Sequence, residues 1–180
     1  MKRLIAGVFL GLCVCANGCG YTTHAYVQNT GYKTIYVTPF VNRVDTTSEF
    51  SEGRNFQNYY PLLENQITNA VVDKFKFDGN LRITKEGESD LVLKGELTDY
   101  RRDSLRDNSA NQPQEYRITL FVNITLIDNK TQKVLWRVSG FAGDSSYYTT
   151  GNFTKSEAQS LSDACDDLAR RIVEKTVEAW

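Results

Sequence analysis

Two helical stripes flanking a long block of alternating segments predict an α+β fold. The expected form is a two-layer sandwich, with two helices packed on one face of a mostly antiparallel sheet of four to five strands. The stripes are Leu63, Ile67, Ala70, Val71 and Phe75, and then Ala158, Leu161, Cys165, Leu168, Ile172 and Thr176, spaced at three- and four-residue steps. Between them, Tyr116, Ile118, Leu120, Val122, Ile124 and Leu126 alternate with Arg117, Thr119, Phe121, Asn123 and Thr125. That period belongs to a strand with one packed face and one wetter face. The order β-α-β-β-β-β-α places both helices over one apolar sheet face.

In chain order the first element is a leader. Lys2 and Arg3 precede an apolar run from Leu4 to Val14, too short to span a bilayer, which takes about 20 residues. Cys13 and Cys15 follow the bulky Leu12 and Val14, whereas Cys19 follows Gly18, with Ala16 two residues further back. Small residues before the cut favour Cys19 as the processed residue. The segment resembles the bacterial lipobox, usually Leu-(Ala/Ser)-(Gly/Ala)-Cys, with Ala16 in place of Leu; an ordinary secretory signal cleaved elsewhere is the alternative. The lipobox implies a signal peptide over 1–18, lipidation of Cys19, and a lipidated tether over 19–33 leading to a single domain over 34–180. In such lipoproteins an Asp after the cysteine commonly retains the protein in the inner membrane. Gly20 stands there, which implies export to the outer membrane. Several acyl chains on one cysteine anchor durably.

Thr34-Ile35-Tyr36-Val37-Thr38-Pro39-Phe40 reads as a strand, with Pro39 marking an end or an edge. Val41 to Asn58 reads as a polar loop. A helix is expected from Pro61, a residue suited to the first helical position, to the stop at Asp78-Gly79-Asn80. Leu81-Arg82-Ile83-Thr84 reads as a short strand. Three long strands follow. Leu91, Leu93 and Leu97 face one way in the first, opposite Lys94, Glu96 and Thr98, and Val134, Trp136 and Val138 repeat the pattern in the third. Asp128-Asn129-Lys130-Thr131 is the turn between the last two strands. Thr154 and Glu157 form a capping-box pattern that predicts the start of the last helix.

Lys2 and Arg3 leave with the leader, so 19 of the 21 basic residues remain against 22 acidic ones, a net charge of −3. That balance argues against a general nucleic-acid partner. With Cys19 acylated, Cys165 is the one cysteine left; no intrachain disulfide forms, and its helical neighbours predict a buried thiol. The single histidine, His24, lies in the tether, so a Ser-His-Asp triad or a Cys-His pair has no base. Zinc-ligand spacing and a Gly-rich phosphate loop are missing from the sequence. The chain therefore reads as a non-enzyme that needs no cofactor. Asp163, Asp166 and Asp167 with Arg170 and Arg171 read as a solvated ion-pair face.

Surface remains. Arg101, Arg102 and Arg106 cluster within six residues before the hairpin loop Asp107 to Gln114, flanked by Tyr100 and Tyr116. Arg117 and Arg137 lie on outward strand positions. Guanidinium forks suit phosphate and carboxylate. Two readings stand side by side: an edge that holds an anionic lipid headgroup, and a charged edge that blocks strand-to-strand aggregation. Phe141 to Phe153, with Tyr147, Tyr148 and Gly151, likewise reads either as interface surface or as a strand packing its own tyrosines.

The sequence also carries a family resemblance. Cys19-Gly20-Tyr21, then Lys33-Thr34-Ile35-Tyr36-Val37-Thr38-Pro39-Phe40-Val41-Asn42, Leu62-Leu63-Glu64-Asn65, Ser89-Asp90-Leu91-Val92-Leu93-Lys94-Gly95-Glu96-Leu97 and Lys133-Val134-Leu135-Trp136 together resemble the LptE family of lipopolysaccharide-assembly lipoproteins. The resemblance implies a lipoprotein of the outer membrane, facing the periplasm. Such a protein plugs the LptD β-barrel, helps it assemble, and binds lipopolysaccharide on its way to the cell surface. It also implies lipopolysaccharide contacts from Arg101, Arg102, Arg106 and Arg117. Curli-secretion and penicillin-binding-protein-activator lipoproteins share a similar strand-helix reading and remain the rival expectation.

Overall fold

The computed structural model describes residues 31–44, 60–109 and 112–178. The leader, Cys19, His24, the tether before Gly31, most of the loop before Asn58 and the hairpin tip at 110–111 lie outside the described residues. The elements are β1 (Thr34–Val37), β2 (Val41–Asn42), α1 (Leu63–Asp78), β3 (Arg82–Ile83), β4 (Leu91–Asp107), β5 (Pro113–Asp128), β6 (Val134–Tyr148) and α2 (Glu157–Val177), with a short 3-10 turn at Glu86–Glu88.

Among the described residues two helices do cover one face of a sheet, but the sheet is mixed rather than mostly antiparallel, and it holds six strands. Its order is β3-β1-β4-β5-β6, with β2 beside β4. β1 runs parallel to both β3 and β4, and β2 runs parallel to β4. β4, β5 and β6 form an antiparallel meander. The parallel half follows from connectivity. β1 reaches β3 through α1, and a helical crossover returns the chain in the direction it left. Alternation within a strand carries no sign of direction, so the parallel pairing is not legible in the sequence.

Local chemistry shifts several boundaries. β1 stops before Pro39, which has no N–H to give the ladder. The chain resumes as β2, inside the stretch read as loop. Phe40 N–H turns away to Thr68 Oγ1 at 2.9 Å, and the Phe40 ring fills the space where a Cβ on Gly95 would sit. α1 begins at Leu63 rather than Pro61: Leu62 caps it in the left-handed region at φ 63°, and its carbonyl accepts from Asn65 and Gln66 N–H. Gly79, at φ 75°, closes the helix with its N–H on Phe75 O. α2 is capped by Ser156, whose side chain accepts from Gln159 N–H, so the capping sequence is Ser156…Gln159 and not Thr154…Glu157. Thr154 instead bridges Tyr148.

The core joins both layers. Leu63, Ile67, Val71 and Phe75 of α1 and Leu161, Cys165, Leu168 and Ile172 of α2 are buried against Leu91, Leu93, Leu97 and the alternating row of β5. Ala70 is partly buried. Ala158, expected on the α2 stripe, is exposed, while Ser160, Ala164, Ala169 and Val173 are buried in addition. Val134, expected inward, is 44% exposed. Gly143 lets α2 approach closely: a Cβ there would lie 2.5 Å from Leu168 backbone atoms. α2 also guards the free edge of β6. Arg171 donates to Ala142 O at 3.2 Å, and Asp144 N–H donates to Asp167 Oδ2 at 3.2 Å.

Candidate functional site

The predicted arginines sit on the projecting half of the β4–β5 hairpin, and a bulge decides which way each one points. The register slips at Thr98, so Leu97 pairs with Val122 and Asp99 with Phe121. One extra residue restores the phase of the inward row, and Tyr100, Arg102 and Ser104 then share the helix side with Leu120, Ile118 and Tyr116. Asp99, Arg101 and Asp103 turn to the outer face with Phe121, Thr119 and Arg117. A second slip sets Arg106 against Glu115 on that outer face. In β6 a bulge at Ser139–Gly140, with Gly140 at φ 65°, preserves the phase in the same way.

On the outer face of the hairpin's projecting half, Arg101, Arg106 and Arg117 each have a carboxylate. Arg101 Nε lies 2.7 Å from Asp99 Oδ2, and its guanidinium stands 4.9 Å over the Phe121 ring. Arg106 faces Glu115 at 3.8 Å, and Arg117 faces Asp144 at 3.7 Å. These pairs are solvent-facing, with contributions of about 0–1 kcal/mol each. An arriving phosphate exchanges such partners at little cost.

Arg102 belongs elsewhere. Its Nη1 donates to Glu157 Oε2 at 2.8 Å, and its guanidinium lies 4.4 Å from the Tyr116 ring centroid. Tyr100 and Tyr147 hydroxyls both donate to Glu157 at 3.3 Å. Tyr116 stacks on Tyr147 at 5.6 Å, and Tyr60 tilts against Tyr100 at 6.0 Å. Glu157 is the first residue of α2, where the helix dipole favours negative charge. Burial first, and then the Glu157 charge, push the Tyr147 hydroxyl up to about 12 and raise Tyr100 as well. The arginine cluster of the sequence is thus two sites: an outer face of Arg101, Arg106 and Arg117, and an inner lock built on Arg102. Glu157 was the residue missed as its hub. Its one sequence signal was its place at a helix start.

The remaining candidates sort plainly. β6 runs through Tyr148; Tyr147 is buried, as a strand packing its own tyrosines requires, and Phe153 is 82% exposed beyond the strand. Arg137 Nε donates to Thr125 Oγ1 at 3.3 Å. Asp167 does more than face solvent: it binds Arg170 and Arg171 and also takes the β6 edge N–H. Cys165 is 3% exposed, and burial, then Asp166, push its thiol up to about 12. No cluster of three or more metal-ligating side chains occurs among the described residues, and no helix among them is long and apolar enough to cross a membrane.

The described domain is thus a helix-backed sheet whose long hairpin carries a charged outer face. Residues 32–176 match the family model for LptE, lipopolysaccharide assembly, and the chain belongs to that family. At that level it is a lipopolysaccharide-assembly lipoprotein of the bacterial envelope. No curated protein matches it in sequence. Among solved structures, a Xanthomonas campestris protein of the DUF330 family is 16% identical, with 81% of this chain and 84% of that one covered and a TM-score of 0.55, a likeness of fold. The rare lipoprotein B of Shewanella oneidensis is 12% identical, covers 80% and 95% of the two chains, and gives a TM-score of 0.43. The PelC dodecamer subunit of Paraburkholderia phytofirmans is 14% identical over 81% and 89%, at 0.48.

Proposed function

We propose that this lipoprotein is held in the outer membrane by acyl chains on Cys19, faces the periplasm, plugs and helps assemble an LptD-like β-barrel, and binds lipopolysaccharide in transit. The family match over 32–176 carries the reading against the two rival lipoprotein classes. The polar outer face of the hairpin suits the polar interior of a large barrel. Arg101, Arg106 and Arg117 exchange weak carboxylate partners for lipopolysaccharide phosphates through charge-assisted bonds. Arg102, turned inward to Glu157, positions the hairpin and touches no lipid. The chemistry is binding, with no bond made or broken and no cofactor.

A detergent pull-down of the tagged, lipidated protein from outer membranes, read by mass spectrometry, tests the partner. A stoichiometric large β-barrel is expected; self-oligomers alone or a peptidoglycan synthase would sink the reading. Arg101→Glu with Arg106→Glu is expected to weaken lipopolysaccharide binding on a surface-immobilised sample without unfolding the domain.

A further inference from the structure

The end of the sheet remote from the hairpin has a different outer face. Tyr36 pairs with Val92, Val92 with Ile127, and Ile127 with Val134, so four strands contribute one apolar row. Among the described residues the helices pack on the other face. Within the row Val92 is 4% exposed and Tyr36 and Ile127 are half-buried, so the apolar surface opens at its β6 end, where Val134 is 44% exposed and its neighbour Leu135 is 38% exposed. The next row is Lys94, Thr125 and Arg137. Neither cation has a carboxylate partner among the described residues, unlike the arginines of the hairpin: Arg137 bonds Thr125, and the carboxylate one row further, Glu96, has Arg43 at 4.0 Å. An apolar strip bordered by uncommitted cations is the pattern of a protein surface that rests on anionic lipid.

The position of the row fits that occupant. β1 runs parallel to β4 with Ile35 opposite Leu91, so the chain enters the fold beside this row, while the hairpin end of β4 lies about 50 Å further along the strand. Gly31 is twelve residues past Cys19, a reach of at most about 43 Å. An anchor on Cys19 therefore brings this end of the sheet to the bilayer more readily than the hairpin.

We infer that the outer face at Val134, the exposed end of the row Tyr36, Val92, Ile127 and Val134, with Lys94 and Arg137 beside it, docks on a membrane surface bearing anionic headgroups and fixes the orientation of the anchored domain. The inference rests on the lipid-anchor reading. The test uses the acylated protein on vesicles of phosphatidylcholine with and without phosphatidylglycerol. A spin label is placed at Val134→Cys or, on the helix layer, at Phe77→Cys; the buried Cys165 does not compete. On anionic vesicles the Val134 label is expected to become accessible to oxygen and shielded from a water-soluble nickel chelate, while the Phe77 label stays in water. The shielding is expected to be lost on neutral vesicles and with Lys94→Glu plus Arg137→Glu. A Val134 label as wet as the Phe77 label, or shielding indifferent to headgroup charge, would overturn the proposal. So would Val134 labels that couple to one another without immersion, the sign of a second copy on this face. Mass spectrometry of the same sample separates the two readings. An acylated, vesicle-bound protein with a wet Val134 label removes the face and keeps the anchor. An unmodified Cys19 removes the anchor and this inference with it.

Discussion

Arg101 and Arg102 follow one another in β4 and meet opposite environments. Arg101 lies on the outer face over Phe121, half of its side chain in water, with Asp99 two residues away as its partner. Arg102 reaches across the inner face to Glu157, on another element 55 residues later, between tyrosine rings. A local, wet ion pair contributes about 0–1 kcal/mol. A partly buried, charge-assisted bond that joins two layers contributes roughly 1.5–3 kcal/mol. The same residue type thus serves display on one face and assembly on the other, and perturbations of the two faces are expected to separate stability from binding.

The strongest break is on the inner face. Gly143→Val would drive a side chain into the backbone of Leu168, where no flexible group is free to yield. Overpacking of this kind costs about 1–3 kcal/mol and more where backbone must move. A fall in the urea midpoint, with β6 amides near Gly143 losing hydrogen-exchange protection, is the expected outcome. A fully stable Gly143→Val protein would show that α2 packs farther from β6 than described.

Next is the lock. Glu157→Ala strands Arg102 and removes the shared acceptor of Tyr100 and Tyr147, for an expected loss of roughly 1.5–3 kcal/mol by chemical denaturation. Arg102→Ala is expected to show less than the sum when combined with Glu157→Ala, because the two changes break one network. Additive effects in that double-mutant cycle would dissolve the network into unrelated contacts.

These two sites also mark what the sequence made legible. The core stripes of α1 and the alternation of β5 were readable because helix and strand periods are local. Strand direction was not, since it depends on where a crossover lands. The split of Arg101 from Arg102 was hidden by one bulge at Thr98, which leaves no mark in an alternating pattern until the register with β5 is known. Ser156 was missed as the α2 cap because Thr154 offers the same hydroxyl two residues earlier, and only the path of the chain past Tyr148 decides between them. Glu157 was legible as a helix-start residue, but its partners come from β4 and β6.

A smaller effect is expected where β1 joins β4. Asp90 Oδ2 accepts from the N–H groups of Lys33 and Thr34 and from the Thr34 hydroxyl, while Oδ1 takes Lys130 at 2.9 Å. The Lys130 bond first, and then the Lys33 N–H, hold this carboxyl at about 2, below its ordinary 3.8. A depressed pKa contributes stability that is present above the unfolded value and is lost as pH falls through the folded one. The wild-type urea midpoint is therefore expected to drop between about pH 4 and pH 2, and Asp90→Asn to lack that part of the drop. An identical acid limb in both proteins would remove Asp90 from the account.

The smallest stability change is expected on the outer face, where it carries the most information. Arg101→Ala removes a wet pair with Asp99 and a stacking contact with Phe121, so the urea midpoint is expected to move by less than about 1 kcal/mol equivalent. Arg117→Ala loosens a longer, 3.7 Å contact to an Asp144 that Arg171 also approaches at 3.4 Å, and is expected to move it less still. If these arginines are held for display, lipopolysaccharide affinity falls in both variants while stability stays. If they serve to keep the hairpin from pairing with other strands, affinity stays and the variants self-associate, visible as a concentration-dependent rise in light scattering. Arg102→Ala is the internal control, because its guanidinium faces the helices. It is expected to lower stability, and any loss of lipopolysaccharide affinity is expected to be recovered at temperatures where the variant is fully folded. A variant at Arg102 that binds poorly while fully folded would place the inner lock in contact with the lipid and erase the distinction between the two faces.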